Sequence, residues 1–223
     1  MNKPVISKAI ISLYDEYTHA PLLRRDFIKR LAALVGSSAA AYAILPMLEN
    51  NYALAAIIEP DDKRIKAEMI EIESTTGALK AYLAQPAKHK KKMGSVLVIH
   101  ENRGLNAHIQ DIARRVALAG YNALALDFLS PLGGTPSNED EARSLFSKLD
   151  PAQSITNGQT ALSYLNKLAN SNGKLGSIGF CWGGGMVNQL AVHTPELNAA
   201  ICFYGMAPDL TLVPQIKAYM LLQ

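Results

Sequence analysis

Residues 179–185 read Gly-Phe-Cys-Trp-Gly-Gly-Gly and set one thiol, Cys181, between an apolar run and a stretch of helical spacing. A thiol in that place can attack a carbonyl carbon. Where a strand becomes a helix within a residue or so, the residue at the turn is held in strained backbone. Side chains at Gly179 and Gly183 would collide with the flanking elements. The helix that leaves the turn directs free N–H groups and the positive end of its dipole at the sulfur. Both favour a thiolate and a developing oxyanion, and the N–H of Trp182 is one such donor. The same residues also suit a small buried cysteine in the glycine-rich turn of a nucleotide-binding protein. Their spacing argues against that, because it matches no dinucleotide fingerprint and no Gly-Lys-Ser/Thr follows.

A second group of polar residues, Glu101, Asn102, Arg103, Gly104 and Asn106, comes directly after the apolar run Ser95–His100. In an open α/β sheet, ligand sites gather at the carboxyl ends of such strands. Arg103 could meet an anionic substrate group or stand solvated. His100 reads as a packing or hydrogen-bonding residue rather than a base. Cys202, in the middle of an apolar run, reads as core.

These residues need a frame to bring them together. Polar and apolar residues alternate from Ile65, and a Thr-Thr-Gly turn leads to a second run ending at Pro86, which predicts an antiparallel pair. Ser95–His100 and Asn122–Phe128 are short apolar runs of the kind buried on both faces of a sheet. Between them Ile109, Ile112, Ala113, Val116 and Ala117 recur at helical spacing, and Gly120 ends that helix. A helical region over 138–168 is broken at Pro151. Then come a strand ending at Phe180, a helix over Trp182–His193, a strand over Ala199–Gly205 and a last apolar run, 218–223. Strands alternating with helices predict an α/β fold with a mainly parallel sheet and helices on both faces.

The two stretches together resemble the dienelactone hydrolase family. Its Glu-x-x-Gly-x-Asn pattern is matched by Glu101, Gly104 and Asn106, and its Gly-x-Cys-x-Gly-Gly pattern by Gly179, Cys181, Gly183 and Gly184. Phe203–Gly205 matches the end of the following strand, and the likeness runs from about Ile65 to Gln223. The resemblance implies an α/β-hydrolase fold and carboxymethylenebutenolidase-like cleavage of a lactone or small ester. In that scheme Cys181 attacks the carbonyl and Glu101 helps take the thiol proton. The backbone N–H groups of Asn102 and Trp182 form the oxyanion hole. No metal or organic cofactor is called for.

In such folds the nucleophile is followed in the chain by an acid and then a histidine. Here Gln223 is reached where the strand before that acid would stand, so the sheet is expected to be incomplete at its C-terminal end and the triad to lack two members. His193 would lie about 18 Å along the helix from the elbow. Asp209 is at best a substitute. Hydrolysis is therefore expected to be lost or weakened, the alternative being a non-catalytic remnant or small-ligand binder. The loop from Ser130 to Asn138 is expected to line the pocket.

Residues 1–56 are of a different kind. Arg24 and Arg25 precede Asp26, Phe27, Ile28 and Lys29, and then an Ala-, Gly- and Ser-rich apolar run to Leu48. This resembles a twin-arginine export signal, with Leu23 where Ser or Thr is usual, and a small-x-small cleavage pattern at Ala53 and Ala55. A membrane tether or an ordinary N-terminal helix is the alternative. The remainder, 57–223, reads as one domain. Hydrophobic residues make up 49%, charged residues 18%, and the net charge is +3, which fits a globular chain with no basic stripe for nucleic acid. Two cysteines are too few for a disulfide framework.

Overall fold

Alternation over 65–72 and the turn that follows do make an antiparallel pair, β1 (Ile65–Ile72) and β2 (Leu79–Pro86), with Ile72 opposite Leu79. The computed structural model describes residues 7–19, 22–48 and 57–223. The chain divides into two compact units, Met1–Ala55 and Ala56–Gln223.

In the larger unit the chain continues through β3 (Met93–Ile99) and β4 (Asn122–Leu126), then β5 (Ser171–Phe180), β6 (Leu197–Phe203) and β7 (Tyr219–Leu222). The sheet order is β1-β2-β4-β3-β5-β6-β7. Pairing is antiparallel from β1 to β4 and parallel from β4 to β7. Both β3 and β5 begin earlier than their apolar runs. In β3 Met93 and Gly94 extend the strand, and in β5 the polar start at Ser171 pairs with Met93. β4 is buried at every position, as a strand covered on both faces must be.

Counting the helices of the larger unit first, α1 (Ala107–Leu118) packs Ile109, Ala113 and Ala117 against the face that carries Ala123, Ala125 and Val98. The opposite face carries Leu97, Ile99, Leu124 and Leu126. It is covered by α3 (Pro151–Lys167) and α4 (Trp182–His193) through Ala161, Leu162, Leu165, Val187 and Leu190. Each such leucine or isoleucine contributes about 1.5–3 kcal/mol by leaving water. The expected break before Pro151 is there: α2 (Glu139–Phe146) ends, and Asp150 caps α3 by accepting from the N–H of Gln153. The lysine run 88–92 is exposed. β7 pairs only with β6 among the described residues, and Tyr219 is 88% exposed on it.

The smaller unit holds three helices, α5 (Lys8–His19), α6 (Arg24–Val35) and α7 (Ser38–Leu48). It has an apolar centre of its own, in which Phe27 is fully buried and stacks on Tyr17 at 4.3 Å between centroids. Arg24 and Arg25 lie exposed on the first turn of α6. No single described helix is long and apolar enough to cross a membrane. Arg24–Val35 and Ser38–Leu45 pass that test only together, bent by 107°. The cleavage pattern at Ala53 and Ala55 lies outside the described residues.

Candidate active site

β5 ends at Phe180 and α4 begins at Trp182, so the whole reversal falls on Cys181. Its backbone sits at φ 55° and ψ −117°, a conformation that costs a non-glycine residue about 1–3 kcal/mol. Neighbouring contacts hold it there. The Cys181 N–H donates to the Phe203 carbonyl at 3.1 Å, and the Gly185 N–H returns to the Cys181 carbonyl at 3.1 Å. Phe180 and Phe203, paired across β5 and β6, stack at 5.0 Å. A Cβ on Gly179 would strike the Gly183 carbonyl, and one on Gly183 would lie 2.5 Å from the carbonyl oxygens of both Ile99 and His100. The glycines thus bring the start of α4 against the end of β3, where the second group of polar residues begins.

Glu101 and Asn102 are half-buried in the turn after β3. The Glu101 carboxylate accepts a hydrogen bond from the Tyr204 hydroxyl at 2.6 Å. Gly104 takes φ 76°, and a Cβ there would run into Thr135. Asn106 caps α1 by accepting from the Ile109 N–H at 3.1 Å. Part of the Glu-x-x-Gly-x-Asn pattern is therefore turn and cap chemistry.

Two expectations need correction. Arg103 is not solvated: it is 7% exposed, and its guanidinium lies 3.3 Å from the Glu139 carboxylate at the start of α2. The helix terminus also does not leave the sulfur a thiolate. Burial pushes the Cys181 thiol up, the Trp182 N–H pulls it down, and the Glu101 charge pushes it up again, with a net rise. Partial desolvation and a nearby carboxylate outweigh the one N–H that reaches the sulfur.

His100 is fully buried and flat against the Trp182 indole, with ring centroids 5.9 Å apart. Its Nε2 accepts from the Phe128 N–H at 3.1 Å, which leaves the proton on Nδ1, donated to the Glu101 carbonyl at 2.7 Å. Burial lowers its pKa, against the pull of the Asp127 charge. Both nitrogens are committed, so this imidazole takes no proton from the thiol. Phe128 and Phe146 meet the same indole edge-on at 5.2 and 5.0 Å.

The loop after β4 is tied down by Asp127, whose carboxylate accepts from the Leu129 N–H, the Thr135 N–H and the Thr135 hydroxyl. His193 ends α4, away from the elbow. Asp209 caps a 3-10 turn, Leu210–Gln215, and its carboxylate is held low by the Thr211 hydroxyl and N–H. Cys202 is buried in β6, 3.5 Å from the Asn188 amide, and both thiols are free. Among the described residues no group of three His, Cys, Asp or Glu side chains is set to hold a metal. The sequence gives Tyr204 only as part of the Phe203–Gly205 strand end, with no role for its side chain. Its one local signal is its place before Gly205 at a strand end, and like Cys181 it has positive φ, 41°.

The sequence pattern that defines the dienelactone hydrolase family matches residues 79–222, which include the elbow, Glu101 and Tyr204. The chain belongs to that family. An Escherichia coli K12 protein named "Putative hydrolase fragment YghX" is 50% identical over 113 residues, 50% of this chain and 97% of that one. A Yersinia pestis "Putative carboxymethylenebutenolidase" is 34% identical over 60% of this chain and 51% of its own. The chain thus spans about half the length of the carboxymethylenebutenolidase relatives it matches. The crystal structure of a Klebsiella pneumoniae protein, "Putative Dienelactone Hydrolase", superposes with a TM-score of 0.61 at 27% identity, over 71% of each chain. A dienelactone hydrolase from Anabaena variabilis, 23% identical over 71% of this chain and 73% of its own, shares the fold with a TM-score of 0.57. The larger unit of this family member is an α/β-hydrolase fold.

Proposed function

We propose that this protein carries a cysteine hydrolase site, acting on a lactone or small carboxylic ester. The observation that supports it most is the backbone of Cys181. A non-glycine residue at φ 55°, in a one-residue reversal between strand and helix, presents its sulfur outward and its next N–H toward the same space. In this reading Cys181 Sγ attacks the carbonyl carbon, and the Trp182 and Asn102 N–H groups receive the oxygen as it gains charge. Glu101 accepts the thiol proton.

The neutral thiol and the committed nitrogens of His100 support slow turnover by these residues alone. They also favour a second reading, a small-ligand-binding protein without turnover. The full chain and its Cys181→Ala variant, both shown to be folded, are to be compared on an activated ester at neutral pH. The expected result is weak hydrolysis that falls to the uncatalysed rate in the variant. Equal rates would remove the hydrolase reading and leave the binding one.

For the smaller unit we propose that Arg24, Arg25 and the apolar run that follows direct export through twin-arginine machinery. The exposed arginine pair supports this, and a membrane tether or cytoplasmic location is the alternative. Arg24→Lys with Arg25→Lys is expected to hold the protein in the cytoplasmic fraction. Unchanged fractionation would reject the signal.

A further inference from the structure

Only two described residues other than glycine have positive φ, Cys181 and Tyr204. Tyr204 follows β6, whose last residue, Phe203, accepts the Cys181 N–H, and its own N–H donates to the Gln223 carbonyl at 2.7 Å. The strained backbone thus has a hydrogen bond on the main chain to keep it. What the strain achieves is visible at the far end of the side chain. The residue is 56% exposed, so burial does not explain its orientation, yet the hydroxyl lies 2.6 Å from Glu101 Oε1 across 103 residues of sequence. A donor at that distance to an ionised oxygen is a strong bond, worth more than a neutral pair.

We propose that Tyr204 is a positioning residue whose hydroxyl fixes where the Glu101 carboxylate stands relative to the Cys181 sulfur. The inference rests on the reading of Cys181 and Glu101 given above. It adds that the carboxylate is not left to find its own place. Glu101 is half-buried, and without the hydroxyl water is the competing donor, which draws a carboxylate outward. Held inward, the carboxylate charge keeps the proton on Sγ at rest. The same carboxylate is then in place to accept that proton when a carbonyl carbon takes the sulfur's electron pair. The S–H bond breaks, an O–H bond forms on Glu101, and the S–C bond forms on the substrate, so the charge passes from Glu101 to the carbonyl oxygen.

The test is the rate at which iodoacetamide alkylates Cys181 as a function of pH, read by mass spectrometry of the Cys181 peptide so that Cys202 does not contribute. It uses the full chain, Tyr204→Phe, Glu101→Gln and the double variant, each with its melting curve. Removing the Glu101 charge is expected to shift the profile to lower pH, because thiolate forms more readily without it. Tyr204→Phe is expected to shift it the same way but less, giving about threefold faster alkylation at pH 7, equivalent to about half a pKa unit. In the Glu101→Gln background Tyr204→Phe is expected to add nothing. A merely structural tyrosine would move the melting curve and leave the profile in place. An unchanged or upward-shifted profile in Tyr204→Phe, or a shift that persists without Glu101, would overturn the proposal. The ester assay with Cys181→Ala reads the hydrolase proposal separately, since alkylation needs no turnover.

Discussion

Alanine at position 183 is expected to cost the larger unit more than about 3 kcal/mol. The added methyl would stand 2.5 Å from two consecutive carbonyl oxygens, those of Ile99 and His100, and 2.9 Å from the Ile99 carbonyl carbon. These are backbone atoms at the end of a strand paired on both sides, with β4 through Ile99–Leu126 and with β5 through Ile99–Gly179. A side chain in the way could rotate, but this strand end can retreat only by breaking ladder hydrogen bonds. Gly185 is the control on the same helix. A methyl there meets its nearest atom, the Met206 nitrogen, at 3.4 Å, an ordinary contact, and alanine is the better helix former by about 1 kcal/mol. Gly185→Ala is therefore expected to stay within about 1 kcal/mol of the parent. Urea unfolding followed by tryptophan fluorescence separates the two, because the one tryptophan of the chain, Trp182, lies at the elbow and reports on this unit. Equal midpoints for Gly183→Ala and the parent would mean that the approach of α4 to β3 is not what makes glycine necessary.

What could be read in the amino-acid sequence was whatever is local. The elbow glycines, the turn at Gly104 and the helix start at Pro151 each announce themselves within a few residues, because each answers a steric or capping demand of adjacent backbone. The parallel pairing among β3 to β7 was expected from strands alternating with helices, though their order in the sheet was not. What could not be read were partnerships between distant segments. Tyr204 with Glu101 and Arg103 with Glu139 join segments that meet only after the sheet has formed. The protonation of Cys181 belongs to the same class. Its spacing predicts a helix terminus and hence a thiolate, whereas the net effect depends on burial and on a carboxylate eighty residues earlier.

Acidification is expected to weaken the larger unit through His100. The ring is fully buried, and burial lowers its pKa below the ordinary value of about 6.5. Asp127 Oδ1 at 4.0 Å opposes this without overcoming it. Between the ordinary value and the folded one, the unfolded chain binds a proton at this histidine that the folded chain does not. Unfolding is therefore favoured as pH falls, so the stabilising contribution is whole above about pH 6.5. It then declines by at most about 1.4 kcal/mol per pH unit until the folded ring itself protonates. The structure gives a second reason for the loss. A proton on Nε2 would face the Phe128 N–H, 3.1 Å away, and turn an acceptor into a second donor. Other groups titrate over the same range, so the informative quantity is a difference. His100→Gln retains an acceptor for the Phe128 N–H and has no proton to gain. Its stability, read by urea unfolding at intervals from pH 7.5 to 5, is expected to fall less steeply than the parent's, with the gap opening below about pH 6.5. Parallel curves would mean that His100 titrates alike in the folded and unfolded chains, and that the ring stacked on Trp182 is not shut off from water.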